Sequence, residues 1–156
     1  MKHVRRGVFF LVMATAIIFL YMPKAVAGDY LGEGCWSLHL TEDATGPADE
    51  TFLMRVGMTH MGDSYFTVQG TVDIPDDNPV IMNGSAVIIG SAVFFTINLS
   101  QDHSSNSWRD TGTGQFRLDL STLNGTFWVN NFDFNITSRE FDQGYAAGTA
   151  SFISCP

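Results

Sequence analysis

Met58-Thr59-His60-Met61 gathers the softest candidate ligands of this chain, because thioether and imidazole donors suit copper. Strand alternation keeps Met58 and His60 on one face but carries Met61 into a turn. Methionines along an apolar strand face serve packing more often than ligation. Asp73, Asp76, Asp77 and Asn78 offer hard oxygens of the kind calcium accepts, yet their spacing fits no EF-hand loop and reads as a solvated turn. No metal and no cofactor is expected. His39 and His103 are scattered, and neither Gly-x-Ser-x-Gly, His-Glu-x-x-His nor Cys-x-x-Cys occurs, so the reading leans away from catalysis. Four Asn-x-Ser/Thr triplets, at Asn83, Asn98, Asn124 and Asn135, use residues that turns and outward strand faces employ in any case.

Two features remain that could do work: a cysteine pair and an apolar strand face. Cys35 and Cys155 stand near opposite ends of the chain beyond a leader-like segment. Residues 1–27 combine a basic start, an unbroken run of apolar and small residues from Gly7 to Met22, and Ala25-Val26-Ala27. That is the pattern of a cleaved signal peptide, so an exported protein, periplasmic or extracellular, is expected, with one domain over 28–156. Export makes a Cys35–Cys155 disulfide the expected state of the two thiols. Beyond residue 27 only four arginines face all 16 acidic residues, a net charge of −12. Such a surface repels phosphates, which excludes nucleic acid and anionic membrane surfaces as partners.

The elements that must position these residues are strands. Alternation is read over Cys35–Thr41, Thr51–His60, Tyr65–Asp73, Val80–Ile89, Ala92–Ser100, a stretch around Phe116, Thr126–Phe134 and Gly144–Cys155. Turns fall at Met61-Gly62-Asp63-Ser64, Pro75 to Pro79, Gly90-Ser91 and Asn124-Gly125, the last expected as a type I′ hairpin. Eight strands in a meander make the first antiparallel to the last once the sheet closes, which brings Cys35 beside Cys155. The fold expected is an all-β, eight-stranded antiparallel up-and-down barrel closed by a disulfide, with a two-sheet β-sandwich as the alternative.

The expected inner face carries Phe52, Met54, Met58, Phe66, Phe95, Phe116, Trp128, Phe132 and Phe152, thinned by glycine and alanine, with Asn130 or His60 as an orienting polar group. This implies binding of a small apolar molecule; a core filled by its own side chains is the structural alternative. Arg117, Asp119 and Asp133 are expected outside, and Phe94, Phe127 and Val129 are the candidates for an outer patch suited to a protein partner.

Gly34-Cys35-Trp36 is similar to the Gly-x-Trp signature of the calycin superfamily, the lipocalin- and avidin-type barrels. That resemblance implies that Trp36 plugs the barrel floor and that a late arginine, here Arg139, packs across it. The Thr-Asp-Tyr stretch and C-terminal helix of lipocalins have no counterpart, nor do avidin's biotin contacts, so only the architecture and the floor carry over. Thr111-Gly112-Thr113-Gly114-Gln115-Phe116 resembles the glycine-rich strand of dirigent and allene-oxide-cyclase barrels. That likeness implies an enzyme that steers a reaction by shape, given a charged pair inside the barrel.

Overall fold

Residues 28–103 and 107–156 are described by the computed structural model; the leader expected over 1–27 lies outside them. Eight strands run in chain order: β1 (Asp29–Asp43), β2 (Gly46–Gly62), β3 (Tyr65–Asp73), β4 (Val80–Ile89), β5 (Ala92–Asp102), β6 (Trp108–Asp119), β7 (Gly125–Asn135) and β8 (Phe141–Ile153). Each pairs antiparallel with its sequence neighbours, and β1 also pairs with β8, so the sheet is a closed barrel rather than a sandwich. No helix occurs among the described residues. Alternation explains the result: one side of every strand is apolar, and only closure buries all eight of those sides together.

The seam is fastened as expected. Cys35 is paired with Ile153, and Cys155, two residues further on, forms a disulfide with Cys35 at a Cα separation of 5.1 Å. Such a bond belongs to an oxidising compartment.

One end of the barrel is closed. Trp36, fully buried, donates from Nε1 to the carbonyl of Leu123 at 2.8 Å. Its ring meets Phe95 and Phe152 edge-on at 6.0 and 5.2 Å. Trp36 therefore occupies the floor. Arg139 does not join it, because the β7–β8 turn that carries Arg139 lies at the opposite end of the barrel. The loop between β6 and β7 supplies the lid of this floor instead. Asn124-Gly125 is not a hairpin turn: Gly125 already begins β7, and the positive φ (56°) falls on Leu123. The Asp119 carboxylate accepts from the backbone N–H groups of Ser121 and Thr122, and this Asx-type arrangement displaces the two-residue turn.

The facing of β7 departs from expectation by one residue. Leu118 pairs with Gly125 and Phe116 with Phe127, which puts Phe127, Val129, Asn131 and Asp133 inside. Trp128, Asn130 and Phe132 therefore point outward; Trp128 is 42 % exposed, and Phe132 stacks on Phe141 at 5.7 Å on the outer wall. Phe127 and Val129 cannot then form an outer patch, and Asp133 is not an outer residue. Both faces of β7 carry aromatic side chains, so alternation alone favoured the bulkier Trp128, whereas the pairing with β6 decides.

Candidate functional site

The interior is half filled and half hollow. Met54 and Phe95 are buried core, and Met58 and Phe66 pack partly buried against it, all away from the hollow. Phe95, Phe116 and Phe127 continue the floor upward as an aromatic ladder, with ring centroids 6.1 and 5.6 Å apart. Above that ladder lies a cavity of about 320 Å³, walled by Leu38, Leu40, Phe52, Ile97 and Val129, with Asp43, Asp110 and Asn131 also in its lining. Of the inner-face residues expected from sequence, Phe52 and Phe116 line it. His60 is not a polar handle inside it, because its Nε2 faces the carbonyl of Asp63 in the β2–β3 turn at the closed end, 2.9 Å away.

Two glycines create room. A Cβ at Gly112 would collide with the Asn130 carbonyl of the next strand, so β6 and β7 can approach closely at the cavity wall only without one. At Gly144 a Cβ would collide with the Asn131 side-chain amide, so the missing side chain leaves Asn131 room against β8.

The mouth is acidic. Register aligns Asp110 of β6 with Asp133 of β7, and Asp133 with Asp142 of β8, so one inward row carries three carboxylates. His103, just past β5, stands between Asp77 of the β3–β4 loop (Nδ1 to Oδ2, 2.5 Å) and Asp110 (Nε2 to Oδ2, 2.8 Å). Asp77 is thus a half-buried member of this cluster and not a solvated turn residue. Asn131 donates to Asp133 Oδ1 at 2.8 Å. Asp110 Oδ1 is sealed from solvent, and no donor among the described residues reaches it. Its neighbour Asp133 can supply one only when protonated. Burial first, and then the charge of Asp110, push the Asp133 carboxyl above its ordinary range in that direction, against the bond from Asn131. Among the described residues, no group of three or more His, Cys, Asp or Glu side chains is arranged to hold a metal.

An imidazole hydrogen-bonded through both nitrogens to carboxylates is satisfied only as the imidazolium. Burial works against that charge, but the bonds from Asp110 and Asp77 outweigh it and raise the pKa of His103 above 6.5. A pKa raised by folding adds stability that is complete below the unfolded value and is lost as pH rises through the folded one. Thermal unfolding should therefore show stability falling from mildly acid to mildly alkaline pH. His103→Gln should flatten that slope and lower stability on the acid side by roughly 1–3 kcal/mol.

The cluster of His103, Asp77, Asp110 and Asp133 was poorly visible in the sequence, since its members come from two loops and from strands β6 and β7. The available signal was the shared register of Asp110, Asp133 and Asp142, which appears only when β6, β7 and β8 are paired. Compared with known proteins, the chain matches no family model, no curated protein and no solved structure, so its site is read from its own geometry.

Proposed function

We propose that the protein is an exported, non-catalytic binder that takes a small, largely apolar molecule into the open half of its barrel. The observation that carries this reading is the cavity itself: about 320 Å³ of space above a sealed aromatic floor, with walls that are aliphatic and aromatic. A core evolved only to hold the sheet together would fill that space, because unfilled apolar volume destabilises. The volume suits one small ligand, at the lower end of the range of about 300–1,000 Å³ usual for binding pockets. Export and the calycin-like architecture agree with a carrier role.

Native mass spectrometry of the purified mature protein, with extraction of any bound molecule, tests the reading directly. Ala146 lines the cavity, so Ala146→Phe should fill it. That variant should weaken binding of an environment-sensitive apolar dye by about tenfold or more, with thermal stability preserved. Dye binding that survives the filled cavity would place the dye elsewhere and remove the support.

A second reading is favoured by one observation. Asp110 and Asp133 form a carboxyl pair inside the barrel, where an acid–base step on a bound apolar molecule would need it. A dirigent- or cyclase-like enzyme would return its ligand chemically altered, whereas a carrier would return it unchanged in mass and chromatographic behaviour.

A further inference from the structure

We infer that the outer wall of the barrel carries a second binding site, a shallow depression across β5, β6 and β7 bracketed by Phe94 and Trp128, and that its ligand is a neutral oligosaccharide. This site lies outside the cavity and does not depend on the carrier reading.

Register assembles the site. Outward positions put Phe94, Arg117 and Thr126 in one row across the three strands, and Thr96, Gln115 and Trp128 in the next. These six side chains line a depression of about 380 Å³. Trp128 is 42 % exposed; its ring contacts no other ring, and its N–H meets no acceptor among the described residues. Phe94 is half-buried and stands at the opposite corner. Two strand spacings and two residues of rise separate the aromatic corners by roughly 12 Å. A short chain of sugar rings bridges that distance, whereas a single ring does not.

The chemistry between the corners selects the ligand. Thr96, Gln115 and Thr126 are exposed and uncharged, and each can both donate and accept hydrogen bonds. Arg117 adds a fork of donors beside them. Arg55 and Arg109 pair with Asp73 and Asp102, whereas Arg117 forms no ion pair among the described residues. The next acid along β6, Asp119, spends its carboxylate on Ser121 and Thr122. Asn98, Thr113 and Asn130 continue the uncharged pattern in the row beyond Gln115. A saccharide matches this composition. The C–H face of a sugar ring lies on the electron-rich face of an aromatic ring, while hydroxyls around its edge supply donors and acceptors together.

Other occupants fit less well. A wholly apolar molecule would strip water from Arg117, Gln115 and both threonines and return no hydrogen bonds. An extended peptide adds to a free strand edge, and β5, β6 and β7 are paired on both sides along the depression. A second copy of this chain would bring an equally acidic surface, and an anionic ligand would meet the same repulsion. A neutral polyol is indifferent to that field and finds here a stretch of wall without a free carboxylate.

Calorimetric titration of the full mature protein with cellotetraose, chitotetraose and maltotetraose tests the assignment. At least one of the three should bind with a Kd of about 1 mM or tighter, and its monosaccharide about tenfold or more weakly. Trp128→Ala should lower that affinity about tenfold or more, and Gln115→Ala severalfold. Thermal melting should stay unchanged in both, because both side chains stand on the outer wall. The cavity-filling Ala146→Phe should leave saccharide binding intact, and Trp128→Ala should leave uptake of an apolar dye intact, so the two sites are read separately. Absence of binding by all three, affinity that survives Trp128→Ala, or tighter binding of tetragalacturonate than of any neutral tetrasaccharide overturns the proposal. A dimer in sedimentation that Trp128→Ala dissolves also overturns it, and assigns this wall to a second copy.

Discussion

Replacing Trp36 by alanine is expected to lower the unfolding free energy by about 3–5 kcal/mol, among the largest losses a single substitution in this barrel can produce. The side chain is fully buried and makes edge contacts with Phe95 and Phe152, so its removal leaves a void that rigid strands cannot close. It also strands the Leu123 carbonyl, which accepts a bond from the indole N–H. Trp36→Phe separates the two contributions. It keeps much of the ring volume and loses the hydrogen bond, and should lower stability by roughly 1–3 kcal/mol. Urea denaturation with linear extrapolation measures both. A loss below about 1 kcal/mol for the alanine variant would show that the floor is not built on this residue.

The second large effect is expected from the seam. Cys35 and Cys155 are separated by 120 residues, and a cross-link of that span stabilises by roughly 5 kcal/mol in the chain-entropy account. Domains of this size are stable by only about 5–15 kcal/mol in total. Reduction, or the paired Cys35→Ser and Cys155→Ser substitutions, should therefore shift the urea midpoint strongly downward. The slope of the transition should rise at the same time, because an unbridged denatured chain is less compact. An unchanged midpoint would mean that the cross-link contributes nothing net to the folded state.

Much of this architecture was legible in the residues alone. Cys35 and Cys155 could be neighbours only if the first and last strands met, and the alternation of Phe52, Met54, Val56 and Met58, and of Val93, Phe95, Ile97 and Leu99, set the inward faces of β2 and β5 without ambiguity. Asn124-Gly125 misled, since a turn signal that short carries no information about the Asp119 carboxylate that shapes this loop. The facing of β7 was not legible because Phe127 and Val129 compete with Trp128 and Phe132 for the interior. Its resolution depends on the pairing of Phe116 with Phe127, a non-local fact. Residues chosen as ligand contacts for being large and apolar proved mostly to be the solid half of the core. The hollow half is walled where strands approach closely at Gly112 and where β8 offers Tyr145 and the small Ala146. The polar rim was hidden for the same reason: Asp77, His103 and Asp110 converge from different segments, and no local pattern announces such a meeting.

Every strand among the described residues has a partner on both sides. A sheet with two free edges offers its unpaired N–H and C=O groups to any other extended chain, and growth by strand addition is the result. Here the pairing of β1 with β8 confines such groups to overhanging stretches, among them residues 29–34 of β1 and 46–52 of β2, so copies of the protein meet mainly through side chains. Solubility at high concentration is thus tied to an intact ring, and the thiol chemistry of its surroundings governs how readily neighbours could knit together.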